Sequence, residues 1–229
     1  MLKIGSYNIQ KSIGLDARRR PERTLRVISE MNCDVIALQE VDKRFGPREA
    51  TLRPEMIAEL TDYKPVPLAI REGSIGWHGN AMLIAPNVAV IRTARFDLPG
   101  LEPRGAIRVE LDTAIGPLRV MGVHLGLVKR YRLLQLAAIT RTLRTLPDMP
   151  TVVAGDFNDW GKGWDLDAQV PGLRFVAPAP SFPSPRPVAA LDRFLISDEL
   201  RAVSGGVHVR RPARIASDHL PVWVDLARA

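Results

Sequence analysis

VVAGDFNDWGKGW, residues 152–164, joins an apolar run to a group of polar side chains. The run 152–154 is typical of a strand buried on both faces of a sheet, and such a strand presents its last side chains at one edge of that sheet. Asp156, Asn158 and Asp159 follow the run after Gly155. Both residue types also favour turns, because their side chains bond the nearby backbone. This stretch alone leaves open whether it only ends a strand or also contributes to a site.

The rest of the chain predicts further strands and three helices. Besides 151–156, β-branched content and alternation predict strands at about 2–9, 35–41, 80–85, 88–95, 105–112, 118–125, 191–197 and 219–226. Helical periodicity is found in RPERTLRVISEM (20–31), PEMIAEL (54–60) and RYRLLQLAAITRTLRTL (130–146). In the third helix we expect Leu136 and Ala137 to face inward and Arg132 to point elsewhere. Since strands and helices do not alternate uniformly, the pattern predicts an α/β fold of mixed sheets with hairpins, covered by helices.

Composition limits the class of protein. The chain has 229 residues, 46% of them hydrophobic, and no visible linker, so we expect a single domain over 1–229. The net charge of +7 suits an anionic partner such as a nucleic acid, a phosphorylated small molecule or a lipid surface. Cys33 is the only cysteine, which excludes an intramolecular disulfide. No signal peptide or transmembrane segment is visible in the sequence, so we expect a cytoplasmic protein.

Polar side chains lie at the ends of six predicted strands. They are Asn8, Glu40, His124, Asp156 with Asn158, Asp192, and Asp218 with His219. Oxygen donors without a Cys or His cluster select Mg²⁺ or Mn²⁺ over Zn²⁺, and these ions suit in-line attack of water at phosphorus. The two histidines can act as a general acid or stabilise developing charge, and a carboxylate can fix an imidazole tautomer. The set predicts a phosphoester hydrolase without a covalent nucleophile.

The motifs YNI, LQEVD, VHL, GDFN, LDRFLIS and SDHLPV occur in this order between residues 4 and 225. Together they resemble the endonuclease/exonuclease/phosphatase superfamily, which includes pancreatic-type deoxyribonucleases, exonuclease III-type nucleases, neutral sphingomyelinases and inositol polyphosphate 5-phosphatases. The resemblance implies a four-layer sandwich of two mixed β-sheets flanked by helices, with the site where the ends of the sheets meet. It also implies a Mg²⁺- or Mn²⁺-dependent phosphodiesterase that acts on a nucleic acid or a phospholipid headgroup. We expect a monomer, although the sequence does not determine the oligomeric state.

The same resemblance implies a metal site. Glu40 would be the principal metal ligand, with Asn8 beside it. Asp218 would lie close to the ion, directly or through water.

The resemblance also implies the catalytic residues. Asp156 would orient or deprotonate the attacking water, and Asn158 would hold a phosphate oxygen. His219 would pair with Asp192 and stabilise the transition state. His124 matches the phosphate-facing histidine of the deoxyribonuclease and sphingomyelinase branch, although between apolar neighbours it could also be a core histidine.

Two further residues are implied as substrate ligands. Arg104 occupies a place where several relatives have a phosphate-binding arginine, and Asn80 is a similar candidate. The alternative for Arg104 is an exposed cation at a hairpin edge. Trp160 and Trp164 could stack on a base, rest at a membrane interface or lie in the core.

A different class of function is a non-catalytic module that binds a nucleic acid or a membrane surface on the same fold. A degenerate member should have lost at least one residue of the catalytic set. Glu40, Asp156, Asn158 and His219 are all present, which favours an enzyme.

Overall fold

The structure is a computed structural model that describes residues 1–43, 49–161 and 170–229. Its strands are β1 Leu2–Asn8, β2 Val35–Gln39, β3 Lys64–Pro65, β4 Ala81–Ile84, β5 Ala89–Leu98, β6 Arg104–Asp112, β7 Leu118–His124, β8 Thr151–Asp156, β9 Leu173–Val176, β10 Asp192–Ser197, β11 Leu200–Val207 and β12 Val222–Arg228. Its α-helices are α1 Pro21–Met31, α2 Pro54–Leu60, α3 Lys129–Leu143 and α4 Ala213–Ala216. A short 3₁₀ turn, Gln10–Ser12, follows β1. Trp164 lies outside the described residues.

The strands form two six-stranded mixed sheets. The first has the order β11-β12-β1-β2-β4-β3, and the second has the order β5-β6-β7-β8-β10-β9. Each sheet contains one parallel pair, β1 with β2 and β7 with β8, and the other pairs are antiparallel. Because parallel strands end at the same edge, Asn8 lies beside Gln39 and His124 lies beside Asp156.

Three apolar clusters hold the layers together. The largest lies between the two sheets and joins, for example, Val35 and Val222 of the first sheet to Val120 and Val152 of the second. A second cluster packs α1, α2 and α4 on the outer face of the first sheet. A third packs α3 on the outer face of the second sheet. The order of layers is helix, sheet, sheet, helix, which confirms the predicted four-layer α/β sandwich.

Several local predictions need correction. Strand β12 begins at Val222 rather than near residue 219, and β3, β9 and β11 were not predicted. In α3, Arg132 is buried and Ala137 is exposed, the reverse of the prediction. Arg132 is buried because its guanidinium donates to backbone carbonyls and to a carboxylate of a neighbouring loop. Within the described ranges, no helix combines the length and the apolar character that spanning a bilayer would take.

Candidate active site

The ends of the two parallel strand pairs open into one cleft of about 800 Å³. Eight of the ten residues predicted for the site line it: Asn8, Glu40, Arg104, His124, Asp156, Asn158, Asp218 and His219. Asp192 lies behind His219, whose ring it contacts. Asn80 does not line the cleft. The two sheets therefore bring together side chains that are separated by up to 211 residues in the sequence.

Asp156 is buried at the end of β8 and lies at the centre of the site. Its Oδ2 accepts a hydrogen bond from Asn8 Nδ2 at 3.1 Å, and its Oδ1 accepts one from the backbone N–H of Asn158 at 2.9 Å. Oδ2 also lies 3.5 Å from His124 Nε2 and 3.7 Å from His219 Nε2. One carboxylate thus contacts residues from both sheets.

Burial raises the pKa of Asp156 to about 6, and the nearby negative charge of Asp192 acts in the same direction. His219 and the two hydrogen bonds to the carboxylate oppose this rise. A carboxylate with such a pKa is mostly ionised at neutral pH and is a stronger base than an ordinary aspartate. Asp156 can therefore accept a proton from water.

His219 and Asp192 form a buried pair. Nδ1 of His219 lies 2.8 Å from Oδ2 of Asp192, and Ser181 Oγ donates to the same oxygen at 2.5 Å. Burial alone would lower the pKa of His219, but the charge of Asp192 and its hydrogen bond outweigh burial and raise the pKa to about 10. The imidazole is therefore a cation at neutral pH. Its Nε2 lies on the side of Asp156.

His124 differs from His219 in charge. Burial lowers its pKa, and the positive charges of Arg104 and His219 lower it further. His124 is therefore a neutral imidazole at neutral pH. The two histidines flank Asp156 in different protonation states.

Glu40 and Asp218 form the carboxylate side of the cleft. Glu40 follows β2 and pairs with the ammonium group of Lys11. Asp218 receives hydrogen bonds from Ser217 Oγ at 3.3 Å, and its backbone N–H donates to Gln10 Oε1 at 3.2 Å. Burial raises the pKa of Asp218, and the negative charge of Glu40 raises it further against the opposing charge of His219.

Two groups of residues offer suitable ligands for a metal ion. Glu40, Asp218 and the amide oxygen of Asn8 are hard donors, and the repulsion between the two carboxylates would be relieved by a cation. Glu40 already pairs with the ammonium group of Lys11, so its carboxylate is in a position to bind a cation. Asp156, Asp192 and His219 also have ligand atoms within 4.8 Å of one another, a spacing that one ion could bridge. In this second group, however, a metal would have to compete with the Asp192–His219 hydrogen bond.

The remaining predicted residues differ in position. Arg104 lines the cleft and pairs with Glu102 at 2.6 Å. Asn80 is fully buried and donates from Nδ2 to the carbonyl of Gly105 at 3.0 Å, away from the cleft lining. This contact joins the loop before β4 to β6, and a substrate contact of Asn80 stays a prediction. Asn158 donates from Nδ2 to the carbonyl of Leu125 at 2.9 Å, which links the loops after β7 and β8.

Asp159 is a residue whose importance the sequence did not reveal. It is buried and accepts from two buried guanidiniums, Arg132 at 3.3 Å and Arg193 at 3.0 Å. In the sequence Asp159 only extends the polar stretch after the strand, whereas its neighbours Asp156 and Asn158 belong to the GDFN motif. The two arginines lie 27 and 34 residues away, and no spacing rule connects them to it.

Several non-glycine residues around the cleft have a left-handed backbone. Gln10, Lys11 and Ser12 have φ values of 46°, 56° and 59°, Glu40 has 56° and Asn158 has 51°. Asparagine tolerates this region, but for the other side chains it is sterically unfavourable. Such strain tends to occur at functional sites, where the surrounding structure holds it in place.

The sequence of this chain matches one protein family and a bacterial relative over most of its length. The Endonuclease/Exonuclease/phosphatase family matches residues 5–219. YbhP, an uncharacterized protein of Escherichia coli K12, is 29% identical over 98% of this chain and 95% of its own length.

Two solved structures share the fold. A mannosyl-6-phosphatase of Bacteroides thetaiotaomicron has a TM-score of 0.77 at 18% identity, covering 99% of this chain and 100% of that chain. TDP2 of D. rerio, complexed with a single-strand DNA product, has a TM-score of 0.73 at 19% identity and covers 98% of each chain. The family match spans nearly the whole sequence and both sheets that form the cleft. The chain therefore belongs to the endonuclease/exonuclease/phosphatase family.

Proposed function

We propose that this protein is a Mg²⁺- or Mn²⁺-dependent phosphodiesterase that directs in-line attack of water on a nucleic-acid or phospholipid-type phosphodiester. Family membership points to a phosphoester hydrolase, and the finer assignment is our own. The observation that carries it is the environment of Asp156, a buried carboxylate of raised pKa that contacts Asn8 and lies beside a cationic His219. A buried base and an acid side by side in an open cleft suit hydrolysis without a covalent intermediate.

Asp156 would act on the attacking water. Its hydrogen bonds from Asn8 and from the Asn158 backbone fix the carboxylate, so that it orients the water and takes its proton. The Asn158 side chain uses one amide proton on Leu125, which leaves the second for a phosphate oxygen.

His219 would act on the phosphate. Because Nδ1–H donates to Asp192, the protonated Nε2 is directed toward the cleft, where it stabilises negative charge on the phosphoryl oxygens or protonates the leaving oxygen. Arg104 would contribute a second fixed positive charge at the cleft. Neutral His124 would donate or accept a hydrogen bond without adding charge.

Glu40, Asn8 and Asp218 would hold the metal ion. When bound, such an ion neutralises phosphate charge and polarises the phosphorus–oxygen bonds. Lys11 would have to release or share Glu40, because its ammonium pairs with this carboxylate.

The preference for diesters rests on the VHL motif, whose His124 resembles the deoxyribonuclease and sphingomyelinase branch. A single catalytic domain over 1–229, a cytoplasmic location and a monomeric state remain predictions from the sequence.

The test is hydrolysis by purified protein with Mg²⁺, Mn²⁺ or EDTA. Substrates should include the phosphodiesters supercoiled plasmid, an oligonucleotide, sphingomyelin, phosphatidylglycerol and bis-p-nitrophenyl phosphate, together with the monoester p-nitrophenyl phosphate. We expect metal-dependent turnover that Asp156→Asn lowers by roughly 10²- to 10⁴-fold, the usual contribution of a general base. Asp62→Asn, at an exposed aspartate outside the cleft lining, is the matched control. Hydrolysis of the monoester alone would overturn the diester assignment. If no substrate is hydrolysed, the result would favour the non-catalytic binding module.

A further inference from the structure

Trp160 is a large apolar side chain that lies exposed at the cleft. Its side chain lines the cleft, and the residue is 66% accessible to solvent. The indole contacts Phe182 edge to face, with ring centroids 5.7 Å apart, and Phe182 lies 4.8 Å from the ring of His219. A row of three rings therefore runs from the candidate catalytic imidazole toward solvent.

The backbone on both sides of Trp160 is fixed by one buried guanidinium. Arg193, 4% exposed, donates from Nη2 to the carbonyls of Asp159 and Gly161, each at 2.7 Å. It also donates from Nη1 to the Asp159 carboxylate at 3.0 Å. Three hydrogen bonds from a single planar group limit how far this loop can move.

A second exposed apolar residue is held in the same way. Leu127 lines the same cleft and is 65% exposed. Buried Arg132 donates from Nη1 to the carbonyl of Leu127 at 2.7 Å and to that of Gly126 at 3.3 Å. Its Nη2 reaches the other oxygen of Asp159 at 3.3 Å. One buried carboxylate and two guanidiniums therefore fix two loops, each of which presents an apolar side chain to the cleft.

Core packing does not explain this arrangement, because both side chains leave most of their surface in water. The Trp160 ring is contiguous with that of Phe182, and Leu127 lines the same cleft. Exposed apolar patches beside a cleft mark binding sites, and holding them rigid lowers the entropy lost when a ligand binds. Lys11, Arg71 and Arg104 line the same cleft and can contact a phosphate, although Lys11 also pairs with Glu40 and Arg104 with Glu102. A ligand that fits all of these features carries phosphate together with a flat, weakly polar ring.

We propose that Trp160 and Leu127 form a subsite for the nucleobase adjacent to the scissile phosphate. This inference rests on the proposed phosphodiesterase function and narrows its substrate class to nucleotide-containing esters. A nucleobase stacks on an indole and is attached through sugar to the phosphate, which matches the row of rings leading away from His219.

The experiment compares the binding of thymidine 5′-monophosphate and 2-deoxyribose 5-phosphate by calorimetry in EDTA, which prevents metal-dependent turnover. The two ligands differ at C1′, where the first carries thymine and the second a hydroxyl group. We expect the nucleotide to bind about tenfold more tightly, within the range measured for stacking of a base on an aromatic side chain. Trp160→Ala should abolish this ratio, and Trp160→Phe should retain part of it. Ile91→Ala, at a 55% exposed apolar residue of β5 outside the cleft lining, should leave the ratio unchanged.

Three results would overturn the subsite. Equal or undetectable binding of the two ligands is the first, and an unchanged ratio in Trp160→Ala is the second. The third is loss of binding to phosphatidylglycerol vesicles in Trp160→Ala while the nucleotide ratio stays the same, which would make Trp160 a membrane contact. Base-dependent binding without any hydrolysis would instead contradict the proposed function alone, and hydrolysis without base-dependent binding would contradict the subsite alone.

Discussion

His219 Nδ1 lies 2.8 Å from Oδ2 of Asp192, a carboxylate with no exposed surface. The pair fixes both the orientation and the charge of the imidazole. Ser181 holds the same oxygen, while Oδ1 of Asp192 has no hydrogen-bond partner among the described residues. Asp192 therefore contacts the cleft through His219, and its charge also acts on Asp156.

Asp192→Asn should lower the pKa of His219 from about 10, because the largest charge that opposes the effect of burial is removed while the charges of Asp156 and Asp218 remain. In the wild type, the raised pKa contributes stability that is complete below pH 6.5 and is lost as the pH rises through about 10. The measurement is an NMR titration of the His219 ring protons in metal-free protein. A His219 pKa that stays above 9 in Asp192→Asn would contradict this account.

Ionisation of Asp156 should destabilise the folded protein, whereas ionisation of an aspartate with a lowered pKa stabilises it. Its pKa is raised from 3.8 to about 6, so its contribution to stability is complete below pH 3.8 and is lost as the pH rises through about 6. Relative to wild type, Asp156→Asn should gain about 2 kcal/mol between pH 4 and pH 7.5, less than the free energy of the whole pKa shift because an unfolded aspartate is already more than half ionised at pH 4. Urea denaturation at both pH values in EDTA measures this change. A difference that does not vary with pH would show that burial does not perturb Asp156.

Metal binding should depend on Glu40. Glu40→Gln should weaken Mg²⁺ binding by at least about tenfold, because removal of an anionic ligand lowers the affinity for a hard cation. Lys11→Met should strengthen it, since the ammonium that competes for Glu40 is removed. Calorimetric titration of Mg²⁺ into each variant is the measurement, and Glu55→Gln on exposed α2 is the control. Unchanged Mg²⁺ affinity in Glu40→Gln would move the ligand set to Asp156, Asp192 and His219.

Asp159→Ala should destabilise the fold by about 3–5 kcal/mol, because it leaves the guanidiniums of Arg132 and Arg193 buried without their carboxylate. Chemical denaturation measures the loss. Glu49→Ala breaks a pair with Lys43 in which both side chains are exposed, and it should have a much smaller effect. Equal effects of the two substitutions would show that the buried network contributes little.

Gly155→Ala should prevent folding or strongly destabilise the protein. A Cβ at this position would lie 1.9 Å from the backbone carbonyl oxygen of Val123, so β7 and β8 would have to separate. Gly161→Ala is the matched control, since its Cβ would lie 3.6 Å from its nearest neighbours, the carboxylate oxygens of Asp159. Soluble yield and the midpoint of urea unfolding distinguish the two variants. A folded Gly155→Ala protein with wild-type stability would contradict the close strand packing.

The sequence predicted the long central strands well, because buried β-branched runs have a strong signal. Strand β11 was missed since Leu200–Val207 is glycine-rich and mostly exposed at a sheet edge, where no apolar alternation is required. Strands β3 and β9 are short and have few buried residues. Their pairing with a neighbouring strand, rather than their own composition, defines them.

The grouping of candidate site residues was predictable for a related reason. Asn8, His124 and Asp156 each end an apolar strand, and parallel pairing within each sheet aligns such ends. Asn80 shows the limit of this reasoning, because a polar residue next to a strand can equally bond the backbone of another strand. The burial of Arg132 depends on Asp159, a partner 27 residues away. Helical periodicity alone does not indicate such a distant partner.

The left-handed backbone of Lys11 and Glu40 has a consequence for how this protein tolerates change. Both residues have a backbone conformation that glycine adopts more readily. A side chain at these positions therefore lowers the stability of the folded protein. Substitutions that make these positions more stable would remove the ammonium or the carboxylate from the cleft. Selection for thermal stability and selection for activity would therefore act in opposite directions on the same few residues.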